Sequence, residues 1–516
     1  MLCLKCITNY FFVILPWVRI YGVNMNNEQL TKRLLLKGSM GMAFIAGISP
    51  LVHAKDSMSK PNNNTRYGNT SETCAKSHIS NWEDSYEKIL ARIKEPKFRD
   101  KTYNIEDYGA KMDQDISEIL SKLIEQCSLS GGGKIVIPAS TYYCGPIHLK
   151  SNVHLHFLDG AIIRFLTEPK KYPNVMTRWE GVECLNYSPL IYAYKQKNIA
   201  ITGNAILDGQ ASFDNWWAWN NKKATVLQKE GRNRLFEMGE NNTPVEQRIF
   251  GEGYFLRPNF IQPYECENVL ISDVKIINSP MWELNPVLSK NVIVRNVNVE
   301  SHGPNNDGCD PESCQDVLIE NCVFNTGDDC IAIKSGRNND GRRVNVPSDG
   351  IIIRNCKMVD GHGGVVLGSE CSGHIRNIFV QDCKMDSPHL SRAVRFKNNA
   401  VRGGVLEKVS VKNLKVGKVS ESFLTIDLLY EEGEHGAYTP VVRDISISDC
   451  IVENAPRVNF ILSFENAIVD QITYKNCHFK NLVKPDVINT SGEVKFINTK
   501  LVPKVEEKSK DQAGKL

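Results

Sequence analysis

Three short stretches decide the fold: VLIENC at residues 317–322, IIIRNC at 351–356 and IFVQDC at 378–383. Each has β-branched or other apolar residues, then Asn or Asp, then cysteine. Apolar alternation with a period of two is typical of a β-strand, and the Asn or Asp marks the turn that ends it. Closely similar units occupy residues 269–274, 292–297, 409–414, 445–450 and 472–477.

The spacing of these units predicts how they pack. Their last residues are 274, 297, 322, 356, 383, 414, 450 and 477, so the steps run from 23 to 36 residues. A unit of roughly 20–50 residues that recurs along a chain indicates a solenoid. Because each unit is strand-rich and leaves no room for a crossover helix, we predict an all-β, single-stranded parallel β-helix whose coils stack in sequence order.

The repeat also predicts the surroundings of two positions. The Asn or Asp residues should form a side-chain ladder at one corner, since stacked Asn side chains stabilise stacked parallel strands. The following cysteines should lie in the interior as small buried hydrophobes rather than pair as disulfides. The ladder positions are Asp273, Asn296, Asn321, Asn355, Asp382, Asn413, Asp449 and Asn476, and the cysteines are Cys322, Cys356, Cys383, Cys450 and Cys477.

Composition and local patterns divide the chain of 516 residues into four segments. Lys32 and Arg33 precede an interrupted apolar run from Leu34 to Val52, which favours a signal peptide over a membrane anchor. The apolar spacing of Ile116–Cys127 predicts a helix that caps the first coil. The predicted segments are 1–54 for targeting, with Met25 as an alternative start, 55–102 as a polar extension with a helix near 82–94, 103–502 as the β-helix, and 503–516 as a disordered charged tail.

Polar residues recur just after the repeat on five successive coils. Because stacked strands lie ~4.8 Å apart, side chains at matching positions should share one surface strip. Counted from the end of each preceding repeat, Asp307 follows by 10 residues, Asp328 and Asp329 by 6 and 7, His362 by 6, Arg395 and Lys397 by 12 and 14, and Tyr430 by 16.

This strip has the groups that glycoside hydrolysis needs. One carboxylic acid protonates the leaving oxygen while another carboxylate acts on water or on the sugar. Crowding of Asp307 with Asp328 and Asp329 would keep one group protonated and another ionised.

Arg395 and Lys397 would face the same side and match a carboxylate on the ligand. Each motif alone is commoner as a turn or a solvated edge, and Asp340, Asp349 and Asp386 are interpreted as turn residues.

Four short motifs resemble those of a known family. Asn305-Asn306-Asp307, Gly327-Asp328-Asp329, Gly361-His362-Gly363 and Arg395-Phe396-Lys397 are similar to the signature motifs of polygalacturonases, glycoside hydrolase family 28, over roughly residues 103–500. The resemblance implies a right-handed parallel β-helix that cleaves the α-1,4-galacturonosidic bonds of pectin with inversion. Asn306 stands where Thr is usual and Phe396 where Ile is usual; both side chains should point away from the aspartates.

The resemblance also implies residue roles. Asp328 would be the general acid, Asp307 and Asp329 would act as bases on the water, and His362 would tune the protons. The substrate-binding residues would be Asn305, Arg395, Lys397 and Tyr430. No cofactor or metal is expected. The expected partner is a pectic polysaccharide or oligogalacturonide, without nucleic acid, and without membrane after signal removal. A secreted or periplasmic location is expected.

The mode of attack is less constrained by the sequence. Residues 178–183 and 186–189 resemble bacterial exo-acting members, and the long segment 209–260 would wall off one end of the groove. Its tryptophans Trp216, Trp217 and Trp219 either pack in the core or form a sugar platform. We therefore favour exo action. The alternatives are an endo-polygalacturonase, a rhamnogalacturonan hydrolase, a Ca²⁺-dependent pectate lyase and a non-catalytic carbohydrate-binding β-helix. The net charge of +3 does not by itself indicate a polyanionic partner.

Overall fold

The computed structural model describes residues 71–221 and 227–505. The predicted targeting segment, the first part of the polar extension and residues 506–516 of the tail lie outside the described residues. From residue 102 onward the chain winds into stacked coils, and the regular coils place one strand in each of three parallel sheets. The predicted right-handed parallel β-helix is confirmed.

Sheets 1 and 2 run nearly the whole length of the stack. Sheet 1 contains Thr102–Asn104, Gly133–Ile137, Val153–Phe157, Lys197–Thr202, Glu267–Ser272, Lys290–Arg295, Gln315–Glu320, Ser348–Arg354, Ile375–Gln381, Val405–Lys412, Val441–Ser448, Ile468–Lys475 and Val494–Ile497. Sheet 2 contains Thr141–Cys144, Ile162–Phe165, Ile206–Asp208, Lys275–Ile277, Asn298–Ser301, Val323–Thr326, Lys357–Asp360, Lys384–Met385, Lys415–Val416, Ile451–Val452, His478–Leu482 and Lys500–Pro503.

Sheet 3 has two parts. The first comprises Ile147–His148, Ile191–Tyr194 and Ile261–Tyr264; the second comprises Ile331–Ile333, Val365–Leu367, Arg392–Lys397, Ser422–Asp427, Asn459–Leu462 and Val487–Ile488. Single parallel bridges through Leu284 and Cys309 connect the two parts. Sheet 3 is therefore continuous through the coils that carry the acidic motifs.

The strand register agrees with the repeat. Val317 lies opposite Ile351, which lies opposite Ile378, so the three quoted stretches stack residue on residue in sheet 1. Stacking in register places the same position of every coil on the same face. This is the physical reason that the repeat could predict which side chains meet.

The corner after sheet 1 explains the recurring Asn or Asp. All eight predicted ladder residues adopt left-handed backbone angles, with φ between 53° and 65°. Asn and Asp tolerate this conformation better than other residues with a side chain. Six of the eight side chains bond in pairs along the stack: Asn296 Nδ2 donates to Asp273 Oδ1 at 2.8 Å, Asn413 Nδ2 to Asp382 Oδ1 at 2.6 Å, and Asn476 Nδ2 to Asp449 Oδ1 at 3.2 Å. The predicted ladder is confirmed for these three pairs.

The next position points inward, as predicted. The five repeat cysteines are buried in the apolar core of the coils, and all the cysteines that the structure describes are free thiols. Thiol side chains fill this interior stack where other coils use Val274, Val297 or Leu414.

Four α-helices of the described chain lie outside the sheets. They are α1 (Ser71–Arg92), α2 (Ser117–Leu129), α3 (Gln228–Glu240) and α4 (Asn338–Val344), and 3₁₀ turns span Ile105–Tyr108, Pro169–Lys171, Trp216–Asn220 and Val245–Gln247. Helix α2 buries Leu120, Leu123, Ile124 and Cys127 against the first coils, which confirms the capping helix. None of the described helices combines the length and the apolarity needed to span a membrane.

Helix α1 begins before the predicted segment near 82–94 and packs on the coils. Ile89 and Ile93 contact an apolar row on the outer face of sheet 1 that includes Ile293 and Ile352. Arg92 Nε also donates to Asp316 Oδ1 at 3.0 Å. The described end of the polar extension is therefore packed against the β-helix. Its overall polar composition gave no sign of the apolar face that makes this contact.

Two of the three aspartates interpreted as turn residues are not in turns. Asp340 lies in α4, where it is buried and accepts a hydrogen bond from Arg248 at 2.7 Å. Asp349 lies within the strand Ser348–Arg354 and pairs with Arg376 at 2.8 Å. The turn assignment was wrong for these two residues because it relied on the absence of an alternating apolar pattern around them. A charged residue on the outer face of a strand, or in a buried ion pair, does not produce that pattern.

Candidate active site

The three motif aspartates converge where sheet 2 passes into sheet 3. Asp307 follows the strand Asn298–Ser301, and Asp328 and Asp329 follow Val323–Thr326 on the next coil. One carboxylate oxygen from each lies within 4.8 Å of the others. Among the described residues, this is the one acidic cluster with the spacing of a metal site. Asp307 and Asp329 are buried, whereas the Asp328 side chain is 24% exposed.

Close backbone contact fixes these turns. A Cβ atom at Gly327 would lie 2.6 Å from the carbonyl oxygen of Gly303 on the preceding coil, so only glycine fits there. Asn306 is buried and points away from the carboxylates: its Oδ1 accepts from the Gly303 N–H at 2.7 Å, and its Nδ2 donates to Ser279 O at 3.0 Å. The expectation for Asn306 is confirmed, and its amide holds the turn before Asp307.

Each carboxylate has a different cationic partner. His362 Nδ1 lies 2.8 Å from Asp328 Oδ1, and Lys397 Nζ lies 2.6 Å from Asp329 Oδ2. Lys334 Nζ lies 3.7 Å from Asp307 Oδ2 and is the only cation of the described chain within 4.0 Å of that carboxylate. The motifs predicted His362 and Lys397 but missed Lys334.

A signal for Lys334 was present in the register. Ile333 pairs with Leu367, which pairs with Phe396, so the following residues Lys334 and Lys397 occupy the same position of sheet 3 two coils apart. Counting from the end of each repeat places Lys334 at the same offset as Arg395 rather than Lys397. The loops between the repeat and sheet 3 differ in length on the two coils, so counting residues did not reveal that Lys334 and Lys397 occupy the same position.

The surroundings shift the pKa values of Asp307 and Asp328 in opposite directions. Burial, followed by the charges of Asp310 and Asp328, raises the pKa of Asp307 well above its usual value. Burial also acts to raise the pKa of Asp328, but the hydrogen bond from His362 and the charges of Lys397 and Lys334 outweigh it, so that pKa is lowered. The same hydrogen bond raises the pKa of His362 against the effect of burial. In the free protein, Asp328 and His362 therefore form an ion pair.

A second layer of charges lies beneath the cluster. Lys334 Nζ is 3.5 Å from Asp310 and 3.2 Å from Glu370, and it lies 4.4 Å from the centre of the Trp282 ring. Burial raises the pKa of Asp310 to about 8. Burial acts to raise the pKa of Glu370 too, but Lys334 and Arg337 lower it overall. These acids follow no sequence motif, so only the folded chain reveals them.

The basic residues lie together on the outer face of sheet 3. Val394 and Phe396 face the core, so Arg395 and Lys397 face outward, and the expectation for Phe396 is confirmed. Arg395 Nη1 lies 3.9 Å from Asp329 Oδ1. The Tyr430 ring centre lies 5.5 Å from both the Arg395 guanidinium and the Lys397 ammonium. These three side chains border the carboxylates on the side of the C-terminal coils.

Described residues of the segment 209–260 border the opposite side. Asn305 Oδ1 accepts hydrogen bonds from Asn220 Nδ2 at 2.9 Å and from the buried Arg257 Nη2 at 2.7 Å, which fastens this segment to the loop before Asp307. Trp216 is buried in the core, as one of the two interpretations held. A cavity of about 510 Å³ is lined by Phe213, Asn220, Asn221, His302, Gly303, Pro304, Asn305, Gly327, Asp328 and His362.

A hairpin and helix α3 also reach the site from the side. The strands Asn174–Trp179 and Val182–Tyr187 pair antiparallel, and Glu180 at their turn accepts from Arg232 Nε of α3 at 2.8 Å. A Cβ atom at Gly181 would lie 2.8 Å from the Arg337 backbone nitrogen, so the hairpin tip contacts the end of sheet 3 closely. The hairpin tip thus packs against the residues that follow the strand Ile331–Ile333, but none of its residues lines the cavity that contains Asp328.

Comparisons with known proteins agree with this geometry. The profile described as glycosyl hydrolases family 28 matches residues 253–456, which contain all eight predicted site residues. The crystal structure of a hyperthermoactive exopolygalacturonase from Thermotoga maritima is 42% identical, with a TM-score of 0.79, over 82% of this chain and 96% of that one.

Curated relatives are more distant in sequence. An exo-poly-alpha-D-galacturonosidase from Dickeya chrysanthemi is 24% identical over 77% of this chain and 70% of its own length. A probable polygalacturonase from Vitis vinifera is 25% identical over 63% of this chain, and the match spans 62% of that relative, less than two thirds of its length. The identity and coverage shared with the Thermotoga protein establish that this chain belongs to family 28 of the glycosyl hydrolases.

Proposed function

We propose that this chain hydrolyses α-1,4-galacturonosidic bonds of polygalacturonate and releases sugar from the chain end. The observation that carries the proposal is the meeting of three carboxylates with Arg395 and Lys397 at one cavity. The carboxylates supply acid and base, and the two cations match the carboxylate of a uronic acid. The exopolygalacturonase from Thermotoga maritima supports the same substrate and mode.

Exposure supports Asp328 as the general acid. It lines the cavity with a partly exposed side chain, whereas Asp307 and Asp329 are buried behind it. The nearest oxygens lie within 4.8 Å, which is nearer the roughly 5–5.5 Å separation of a retaining pair of carboxyl groups than the about 6.5–9.5 Å of an inverting pair. Inversion is therefore proposed on a different ground, the third carboxylate: Asp307 and Asp329 can hold the water between them while Asp328 protonates the leaving oxygen.

Substrate binding would move a proton onto Asp328, the proposed general acid. In the free protein, Lys397 and His362 lower the pKa of Asp328 against the effect of burial. A uronate carboxylate at Arg395 and Lys397 would offset that positive charge and raise the pKa of Asp328. The proton shared with His362 would then move to Asp328, next to the leaving oxygen.

The walls of the cavity support exo action. Asn220 and Arg257 fasten the segment 209–260 to Asn305, so Phe213 and Asn220 border the cavity toward the N-terminal coils. A polymer chain would have to end there. Endo action remains the second candidate, since an endo-polygalacturonase from Pectobacterium parmentieri is 26% identical over 70% of this chain.

Product analysis tests the proposal. Incubation with polygalacturonate should release only monomer or dimer at early times, and the first-formed product should be the β-anomer in ¹H NMR spectra. A ladder of oligomers would contradict exo action, and a first-formed α-anomer would contradict inversion. Activity should survive a chelator without unsaturated product, and rhamnogalacturonan should give less reducing sugar than polygalacturonate. The opposite results would favour a lyase or a rhamnogalacturonan hydrolase.

We also propose that the chain is exported and that residues 1–54 are removed. The supporting observation is the basic and apolar pattern of that segment, which lies outside the described residues. N-terminal sequencing of the protein recovered from the periplasm or medium should begin near residue 55. Recovery of the chain only inside cells would contradict export.

A further inference from the structure

The outer face of sheet 3 continues past the carboxylates toward the C-terminal coils. Arg395 pairs with Thr425, which pairs with Phe460 on the coil after it. The neighbours Val394, Leu424 and Ile461 are buried in the core, so Arg395, Thr425 and Phe460 face the same way. At ~4.8 Å per coil, Phe460 lies about 10 Å beyond Arg395 along the stack.

Two cations accompany the Phe460 ring. The Arg457 guanidinium lies 5.3 Å from the ring centre, and Lys484 lines the same cavity of about 190 Å³ with Glu421 and Ser422. Within the described chain, no carboxylate lies within 4.0 Å of Arg457 or Lys484 to form an ion pair. Glu421 is already paired with Arg392. The cavity is therefore lined by two unpaired cations and one carboxylate, Glu421, which Arg392 already neutralises.

Arg457 and Lys484 are more than a pair of solvated surface cations, because both line a cavity together with the Phe460 ring. Here the ring, the cations and the cavity occur together, in register with the residues that face the carboxylates. The apolar face of a sugar ring packs on an aromatic side chain, and a uronate carboxylate pairs with a guanidinium or ammonium group. The same combination at the carboxylate centre comprises Tyr430, Arg395 and Lys397.

We propose that Arg457, Phe460 and Lys484 form a distal uronate-binding subsite of the groove. The proposal rests on the proposed function. A pyranose ring advances by about one coil spacing, so the subsite takes a sugar about two residues farther along the chain than the one at Arg395 and Lys397. Because the proposed exo action places the end of the polymer beside Phe213 and Asn220, the rest of the polymer would leave the cavity over this face.

The experiment compares short and long substrates. KM for pentagalacturonate should rise about three- to ten-fold in the R457A/K484A variant, and KM for digalacturonate and kcat for both should stay unchanged. The increase should shrink at high salt, because Lys484 is exposed and Arg457 is partly exposed to solvent. K475A/K495A is the matched control: it removes two cations from sheet 1 and should leave both KM values unchanged.

The variant Phe460→Leu tests the contribution of the aromatic ring separately from that of the two cations. It should raise KM for pentagalacturonate alone, by a smaller factor and without salt dependence. If R457A/K484A does not fold, the single variants R457Q and K484Q give the same comparison.

Equal KM changes for both substrates, or none, would overturn the subsite. A wild-type protein that cleaves neither substrate would instead overturn the proposed function.

Discussion

The carboxylate centre and the distal subsite lie on the same face of sheet 3, yet their charges behave differently. At the centre, Asp329 and Lys397 are buried and every carboxylate has a cation of its own. At the distal subsite, Lys484 is exposed and neither it nor Arg457 has an ionic partner in the described chain. In our proposals, the same residue types serve proton chemistry in one place and polymer binding in the other.

Burial is the physical cause of this difference. A charge removed from water interacts strongly with its neighbours, so its pKa depends on them, whereas exposed charges interact weakly and are screened by salt. Changes at the centre should therefore alter pH profiles and stability. Changes at the distal subsite should alter KM and its salt dependence.

The largest effect is expected from Asp328→Asn. It removes the proposed proton donor and should lower kcat about 10²–10⁴-fold, while the protein still folds with a slightly lower melting temperature, because the favourable contacts with His362 and Lys397 that lower the pKa of Asp328 are lost. Steady-state kinetics on polygalacturonate and thermal unfolding provide the measurement. Asp349→Asn on sheet 1 is the matched control and should keep full activity. Retention of wild-type kcat by D328N would remove this residue from the acid role.

Lys334→Met tests whether the missed lysine is a positioning residue for Asp307. Methionine keeps the side-chain length but leaves Asp307 without its ionic partner, so the pKa of Asp307 should rise further. The acid limb of kcat/KM should move to higher pH by about one unit. Lys334→Arg, which keeps the charge, should restore much of the wild-type profile. An unchanged profile in K334M would show that the lysine is only structural.

The same variant makes a stability prediction with a definite sign. Lys334 helps to lower the pKa of Glu370 in the folded state, so Glu370 contributes stability above its ordinary value of 4.5 and loses it as pH falls. The melting temperature of K334M should therefore fall further below wild type at about pH 7 than at about pH 4. A deficit independent of pH would indicate a packing defect.

The smallest effect within the centre is expected from His362→Asn. Because the pKa of His362 is raised by Asp328, the pair should keep its shared proton above the ordinary pKa of histidine, and activity should fall as pH rises through that raised value. Without the imidazole, the basic limb of kcat should move to lower pH. A limb that stays in place would assign it to another group. NMR titration of His362 in D328N should give a lower pKa than in wild type.

Much of the fold could be predicted because the same sequence pattern recurs in successive coils. Period-two strands, a left-handed Asn or Asp and an inward cysteine fix the register, and the register brought Asp307, Asp328, Asp329, His362 and Lys397 together. The segments that interrupt the repeat were not predictable in this way. The contacts of Arg257 with Asn305 and of Glu180 with Arg232 join stretches that share no period.

The sequence by itself therefore determined the solenoid and the meeting of its acidic and basic motifs, because in-register stacking turns equal positions into neighbours. Only the tertiary structure decided which cation each carboxylate receives, how deeply each is buried and which residues line the cavity beside them. Those properties depend on loops that leave the coils at different lengths, such as the one that places Lys334 beside Asp307. Burial depends on everything packed around a residue, and no local pattern records it.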